Sequence, residues 1–204
     1  MKRISTLLIT GILLCLITFD TLSSEAQAIA PEKSAKAAAA SDTRLINANI
    51  RHYQDIMFFS QKALDRGGDE KIKELATQML EDNSAMLYAM EQLASAGSGS
   101  SNHNAAGAND THEQAALLNG KLAALSGENF DTLWVSSLLT LQQTKYDELT
   151  LAKETVTNPQ LKTSITEAVL IIRKELSQLV RLQKDIAKIA LQKKKLAAKQ
   201  KKQG

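Results

Sequence analysis

The amino-acid sequence predicts an all-α protein, an antiparallel four-helix bundle with a short extra helix between the second and third long helices. Three observations support this fold class. Ala, Leu, Lys, Gln and Glu, which are strong helix formers, dominate the composition. Apolar residues recur every three or four positions in four stretches of about 25 residues, and no stretch has the alternation of a strand. The only prolines are Pro31 and Pro159, and mostly short connections favour antiparallel packing of neighbouring helices.

The N-terminus has the pattern of an export signal, which we place at residues 1–28. Lys2 and Arg3 give a positive start, residues 7–19 are mostly apolar, and Ala26-Gln27-Ala28 supplies small residues for cleavage. The apolar run is shorter than the roughly 20 residues that span a bilayer. We therefore predict cleavage of the signal and a periplasmic or secreted protein, with an uncleaved membrane anchor as the alternative.

Cysteine and charge set limits on the mature chain. The single cysteine, Cys15, lies in the predicted signal, so the mature chain has no disulfide and no thiolate nucleophile. The formal net charge is +3, but the residues from Lys184 onward include eight lysines and one acid, Asp185. The sequence therefore predicts a mildly acidic bundle with a strongly basic C-terminal end.

The first two long helices follow a predicted linker at residues 29–41, where the apolar residues show no pattern. Ser41 or Asp42 can cap the first helix, because a side-chain oxygen can accept its free backbone N–H groups. Gly67–Gly68 ends this helix and Asp69 caps the second. The apolar seams contain Ile46, Ile50, Tyr53, Met57, Ser60 and Leu64 in the first helix, and Ile72, Leu75, Ala76, Met79, Asn83, Met86, Met90 and Leu93 in the second.

Residues 97–110 are rich in Gly, Ser and Asn and predict a mobile loop. A short helix at 112–125 follows, and Ser126–Gly127 separates it from a third long helix at 128–155. Asn158–Pro159 opens the fourth, because proline lacks an N–H that is unpaired in a first helical turn anyway. The seams contain Phe130, Trp134, Ser137, Leu138, Leu141, Lys145, Leu149 and Ala152 in the third helix, and Leu161, Ile165, Ala168, Ile172, Glu175, Leu179, Leu182, Ile186 and Ile189 in the fourth.

The bundle domain, predicted over residues 42–190, is followed by a lysine-rich tail at 191–204. Three interpretations of the tail remain open: a solvated helix end, attraction to anionic lipid or envelope polymer, and nucleic-acid binding. Clustered lysines contribute roughly 1 kcal/mol each near an anionic surface, whereas nucleic-acid binding lacks interleaved aromatic residues or a recognition motif. The basic residues are Lys188, Lys193, Lys194, Lys195, Lys199, Lys201 and Lys202.

Several short segments together indicate a family. A Leu-Ser-Gly-x-x-Phe-Asp element that leads a long helix is matched by residues 122–131 (Leu-Ala-Ala-Leu-Ser-Gly-Glu-Asn-Phe-Asp). A first turn and a second helix are matched by Ala63–Leu64 and by residues 72–79, and a last-helix motif by residues 170–176. These are similar to the motifs of a bacterial exported ferritin-like family known as a domain of unknown function, family four-one-four-two. The resemblance covers about residues 43–182 and implies a ferritin-like bundle outside the cytoplasm.

The resemblance does not imply a metal site in this chain. The family pattern has three histidines, at positions that correspond to Asn83, Gln142 and Glu175 in this sequence. A carboxylate expected in the first helix falls near Ile56, beside Asp55, and a tyrosine near the start of the third long helix is replaced by Trp134.

Glu175 is the most informative polar residue, because it occupies a seam position where a lone carboxylate must protonate or find a partner. With Asn83 and Gln142 it predicts a polar core layer that fixes helix register. A residual metal or small-ligand site, or a Glu175 side chain that reaches water, are the alternatives. One carboxylate with two amides is a weak ligand set for iron or zinc, and no Glu-x-x-His occurs.

The remaining candidates for chemistry have simpler explanations. His52, His103 and His112 have no metal-ligand spacing, and no hydrolase motif or phosphate-binding glycine loop is present. Trp134 with Phe130 is expected in the core, with ligand stacking as the alternative. Methionines at helical spacing usually fill cores, although they also bind soft metals; they are Met57, Met79, Met86 and Met90.

The sequence therefore predicts a non-enzymatic extracytoplasmic bundle for binding, envelope maintenance or stress response, with no cofactor and no identified partner. Metal binding near Glu175 and binding to an anionic envelope surface through the C-terminal lysines are the two alternatives.

Overall fold

The computed structural model describes residues 24–97 and 109–202. Within these ranges the chain forms five helices and no strand, which confirms the predicted all-α class. The helices are α1 (Ser24–Arg66), α2 (Glu70–Gly97), α3 (Asn109–Ala123), α4 (Gly127–Thr155) and α5 (Pro159–Gln200). Most of the predicted signal and of the predicted 97–110 loop, including His103, lies outside the described residues. No helix in the described ranges is long and apolar enough to cross a membrane.

Helix α1 begins earlier than the sequence predicted. Residues 29–41 were expected to form a linker, but the helix runs without interruption from Ser24. Alanine, lysine and glutamate favour helix even where no apolar stripe exists, so the missing stripe did not exclude a helix. The chain divides after Ala39 into two compact units, and the second unit contains the bundle.

The four long helices form an antiparallel bundle in the spatial order α1, α4, α5, α2. Trp134 Nε1 of α4 donates to the Phe59 carbonyl of α1 at 2.9 Å. On the far side, Gln178 Nε2 of α5 donates to Gln78 Oε1 of α2 at 2.9 Å. The short helix α3 packs on α4, which confirms the predicted extra helix.

The core divides into two apolar clusters along the bundle. One surrounds Trp134 and Phe130, both fully buried, and the other contains Tyr53, Met86 and Met90. The core prediction for these aromatic and methionine side chains is therefore confirmed, although Met57 is only half-buried. The largest fully buried side chains are Trp134, Tyr53, Phe59, Phe130, Ile56, Ile72, Met79, Met90, Leu122, Leu138, Leu149 and Leu161.

Two helix caps follow the sequence prediction. Asp69 Oδ1 accepts the Lys71 N–H at 2.9 Å at the start of α2. Asn158 Oδ1 accepts the N–H groups of Gln160 and Leu161 at 2.9 and 3.1 Å, with proline in the first turn of α5. These side chains satisfy backbone donors that a helix start leaves free.

Asp42 has a different role from the predicted helix cap. Its carboxylate is buried and accepts from Thr157 Oγ1 at 2.8 Å and from the Asn158 N–H at 2.9 Å. Asp42 therefore ties α1 to the turn between α4 and α5. It does not cap α1, because that helix has already begun many residues earlier.

The opposite end of the bundle is closed by a second buried carboxylate that the sequence analysis did not single out. Asp131 of α4 accepts the Gly68 N–H at 3.0 Å and the Asp69 N–H at 3.0 Å. These bonds hold the turn between α1 and α2 against the start of α4. Gly68 lies so close to Gly127 that a Cβ at Gly68 would stand 2.9 Å from the Gly127 Cα.

Candidate functional site

The centre of the bundle holds a continuous chain of hydrogen bonds that crosses all four long helices. His52 Nε2 of α1 contacts Gln142 Oε1 of α4 at 3.0 Å. Gln142 Nε2 donates to Glu175 Oε2 of α5, and Asn83 Nδ2 of α2 donates to Glu175 Oε1 at 2.9 Å. We call these four residues the polar chain.

Each long helix contributes one residue of the polar chain, and the helical period explains three of them. Asn83 and Glu175 occupy seam positions of α2 and α5, and both are buried. Gln142 was expected to flank the seam of its helix but is fully buried, because α4 turns its Leu138–Gln142–Lys145–Leu149 side inward. The structure thus brings together the three polar residues that the sequence singled out.

His52 is the member that the sequence analysis missed. It lies one position before Tyr53, at the edge of the α1 seam, and is partly buried. The only sequence signal was its position next to Tyr53, which lies in the seam. A position at the edge of a seam does not show whether the side chain turns inward. Its contact with Gln142 gives the polar chain an end at the bundle surface.

Burial dominates the electrostatics of Glu175. Removal from water, with the nearby charge of Asp82 as a smaller cause, raises the pKa of its carboxyl from the ordinary 4.5 to about 8. The amide hydrogen bonds and Lys174 act in the opposite direction but do not compensate. At neutral pH the carboxyl is therefore mostly protonated.

His52 is held in its neutral form for a related reason. Burial lowers its pKa to about 3, the positive charge of Lys145 lowers it as well, and the Gln142 hydrogen bond only partly opposes them. A neutral imidazole carries one donor and one acceptor nitrogen. His52 can therefore either donate to Gln142 or accept from it, according to its tautomer.

A second group of buried polar atoms lies on the same helix as His52. Tyr53 Oη, Asn49 Nδ2 and Asn49 Oδ1 are buried without a hydrogen-bond partner among the described residues. Lys145 of α4 is buried as well, and its Nζ contacts Glu148 Oε2 at 2.8 Å. Burial raises the pKa of Tyr53 well above its ordinary value, and Glu175 and Glu148 add to this, so its hydroxyl stays protonated.

The polar chain offers few ligands for a metal ion. Its donors are one mostly protonated carboxyl, two amides and one neutral imidazole, and transition metals prefer ionised or imidazole ligands in larger number. Over the described ranges, no group of three or more His, Cys, Asp and Glu residues is placed to hold an ion. His112 lies in α3, remote in sequence from the chain of hydrogen bonds, and Asp55 and Ile56 lie on α1.

The predicted basic tail continues α5 as a helix. The last buried residue of α5 is Leu182, and every residue from Leu191 to Lys202 is exposed. Lys193 contacts Glu128 at the start of α4, and Lys188 pairs with Asp185 one turn away at 3.8 Å. Beyond Lys193, the helix therefore projects its remaining C-terminal lysines past the end of the bundle.

Comparison with known proteins gives a family and a fold. The model of the domain of unknown function DUF4142 matches residues 26–182, the family that the sequence motifs indicated. Two solved structures of CopM, in the Ag-bound and the Cu(II)-bound form, are similar to this chain with a TM-score of 0.55. Each covers 71% of this chain and 96% of the CopM chain, at 14% and 15% identity. No curated protein matches the chain.

Proposed function

Because this chain belongs to the DUF4142 family of domains of unknown function, which brings no activity with it, we propose a function from the geometry. The protein is a non-catalytic, extracytoplasmic helical bundle that binds an anionic surface of the cell envelope through the C-terminal part of α5. Its export rests on the signal pattern at residues 1–28.

The observation that carries this proposal is the exposed basic end of α5. Residues 191–202 include six lysines and no acid, and all are exposed. Lysines gathered on one short helical segment repel each other unless an anionic partner neutralises them. Each lysine near an anionic membrane contributes about 1 kcal/mol of attraction, so six are enough for stable binding.

The non-catalytic part of the proposal is supported by the state of the polar chain. Both oxygens of Glu175 accept from amides, and the amide of Gln142 is engaged on both sides. General acid–base catalysis requires a titrating group within reach of a substrate, whereas Glu175 is fully buried. The hydrogen bonds of the polar chain serve the packing of the bundle.

Cosedimentation with vesicles tests the proposal. The ratio of binding to phosphatidylglycerol-containing vesicles over pure phosphatidylcholine vesicles is measured for the chain and for a variant with all six lysines of residues 191–202 changed to glutamine. At about five-fold per charge, the ratio should fall by at least a hundredfold. The matched control changes the same six lysines to arginine and keeps the ratio. Equal ratios for the parent and the glutamine variant would refute surface binding by this segment.

Metal binding is the second candidate function, favoured by the Ag-bound and Cu(II)-bound states of the CopM structures. In this chain a site near Glu175 would have to displace Gln142 and use Glu175 together with His52. Methionine sulfur is the alternative ligand for Ag(I) or Cu(I), and Met86 and Met90 lie one helical turn apart in the same buried cluster.

Elemental analysis after equilibration with Cu(II) or Ag(I) and desalting tests this second candidate. A stoichiometric Cu(II) that is lost in both Glu175→Gln and His52→Gln supports the polar chain as ligand. Retained Ag(I) that is lost in Met86→Leu with Met90→Leu supports the thioethers. A metal content below one ion in ten chains rules out both sites.

A further inference from the structure

The formal charge of the bundle is divided unevenly among its helices. Helix α5 contains ten basic and three acidic residues, a net charge of +7. Helices α2 and α4, its two neighbours in the bundle, each contain two basic and five acidic residues, a net charge of −3. One of the three acids of α5, Glu175, is buried and mostly protonated. Positive charge is therefore gathered along one corner of the bundle.

The basic residues of α5 point away from its buried seam. The seam runs from Leu161 to Leu182 at helical spacing. At 100° per residue, seven basic residues fall within about 60° of the direction opposite to the seam. All seven are exposed, and the exposed Glu167 and the half-buried Asp185 fall outside this sector. We call them the basic face; they are Arg173, Lys174, Arg181, Lys184, Lys188, Lys195 and Lys199.

The basic face also carries exposed apolar side chains. Leu170 and Leu191 lie in the same sector and are 62% and 54% exposed. Water solvates lysine and arginine well, whereas the exposed leucines beside them are more stable in an apolar environment. The interface of an anionic membrane satisfies both, since headgroups attract the cations while leucines enter the acyl boundary. Helix α5 has no aromatic residue, which disfavours a single-stranded nucleic acid as the partner.

We propose that the bundle lies on its side against an anionic lipid leaflet, with the basic face of α5 as the contact surface. This inference rests on the proposed function and extends it. The contact is not confined to the projecting end of α5 but includes Arg173, Arg181 and Lys184, which belong to the part of the helix packed in or next to the bundle.

The continuity of α5 explains why the two parts of the contact act together. The basic face spans residues 173–199 of one uninterrupted helix, about 39 Å at 1.5 Å per residue. When Lys195 and Lys199 contact a flat leaflet, the basic residues aligned with them on the packed part of the helix contact the leaflet as well. The acids of α2 and α4 repel an anionic leaflet from the adjacent sides, which fixes the orientation about the helix axis.

Neutralisation of the packed part of the basic face tests the inference. The variant Arg173→Gln, Arg181→Gln, Lys184→Gln is made in the full chain and leaves residues 191–204 intact. Its anionic-to-neutral vesicle binding ratio should fall roughly a hundredfold, at about five-fold per charge. The matched control Lys73→Gln, Lys121→Gln, Lys153→Gln removes the same charge from other helices and should change the ratio less than about five-fold. Circular dichroism verifies that both variants keep the parent helicity.

The outcomes separate this inference from the proposed function. If the face variant binds like its matched control while the six-lysine variant loses binding, the side-on contact is refuted and the proposed function stands. If neither the face variant nor the six-lysine variant changes the binding ratio, both the side-on contact and the proposed function are refuted. If the chain binds soluble polyphosphate but not anionic vesicles, lipid is the wrong partner and the inference falls.

A probe of orientation provides a second readout. In a Cys15→Ser background, Ser177→Cys places an environment-sensitive fluorophore on the basic face, and Thr77→Cys places it on α2. The two sites are matched, since both hydroxyls are exposed and bond to the carbonyl four residues earlier. Anionic vesicles should shift the emission to shorter wavelength at position 177 and leave position 77 unchanged. An equal shift at both positions, or none at position 177, overturns the side-on orientation.

Discussion

Replacement of Glu175 by glutamine removes the ionisable group of the polar chain and keeps its shape. The carboxyl of Glu175 is fully buried between the amides of Asn83 and Gln142. A glutamine at this position can accept from Asn83 and donate to Gln142, provided that the Gln142 amide turns over. His52 permits this turn, because its neutral ring can accept as well as donate. The variant should therefore fold with all its central hydrogen bonds.

The effect of the substitution lies in the pH dependence of the free energy of unfolding. The pKa of Glu175 is about 8 in the folded chain and 4.5 in its ordinary state, so the folded state holds a proton that the unfolded state releases. Stability contributed by this group is fully present below pH 4.5 and is lost as the pH rises to about 8.

His52 sets the lower limit of a clean measurement. Its pKa falls from 6.5 to about 3 on folding, so its contribution is present above pH 6.5 and is lost below that value. Between pH 6.5 and pH 8 the contribution of His52 changes by only about 0.4 kcal/mol, because its ordinary pKa is 6.5, so Glu175 gives the larger change. Over that window the parent chain should lose about 1.5 kcal/mol of unfolding free energy through Glu175, and Glu175→Gln should lose almost none of it.

Urea unfolding at several pH values, followed by circular dichroism and Trp134 fluorescence, measures the difference. Glu167→Gln is the matched control, because Glu167 is an exposed acid of the same helix, and it should keep the parent slope. Parallel stability curves for the parent and Glu175→Gln between pH 6.5 and pH 8 would show that Glu175 is ionised in the folded chain and would refute the reasoning.

Two further predictions concern the ends of the bundle. Asp42→Ala removes an acceptor for Thr157 Oγ1 and the Asn158 N–H. It should lower the unfolding free energy by about 1 kcal/mol in urea titrations, because Thr157 is exposed and Asn158 is half-buried, so water can replace part of what is lost. Thr157→Val, which leaves the Asn158 bond in place, should cost less. Gly68→Ala places a Cβ 2.9 Å from the Gly127 Cα, so it should lower the midpoint of thermal unfolding by several degrees, at a cost of about 1–3 kcal/mol from overpacking. An unchanged midpoint would mean that the turn can move away from α4.

The apolar period predicted the bundle and most helix boundaries, but it did not predict the start of α1. Helices α2, α4 and α5 start within one or two residues of their predicted positions, because Asp69, Gly127 and Asn158–Pro159 are local signals that need no tertiary information. The start of α1 was wrong, since the linker prediction relied on a missing stripe and the helix propensity of residues 29–41 is independent of any stripe.

The candidate site could be predicted only in part for a related reason. A polar residue in an apolar seam, such as Glu175 or Asn83, is visible in the sequence as an interruption of the pattern. His52 and Asp131 interrupt nothing, because each lies at the edge of a seam. Whether such a side chain turns inward depends on the partner that another helix places opposite it, here Gln142 for His52 and the Gly68–Asp69 backbone for Asp131. Contacts between helices decide this, and the sequence of one helix alone does not contain them.

The polar chain and the basic face together explain why the charge of this bundle can be so unequal. In the structure both oxygens of Glu175 accept, one from Asn83 and one from Gln142. A protonated Glu175 that donates to Gln142 requires the Gln142 amide to turn over and donate to a neutral His52. The neutral imidazole of His52 permits either direction, because it has one donor and one acceptor nitrogen. With Glu175 mostly protonated, the exposed basic residues of α5 receive little compensating negative charge from the polar chain, and their field acts outward. An anionic leaflet is the partner that such a field attracts most strongly along its full length.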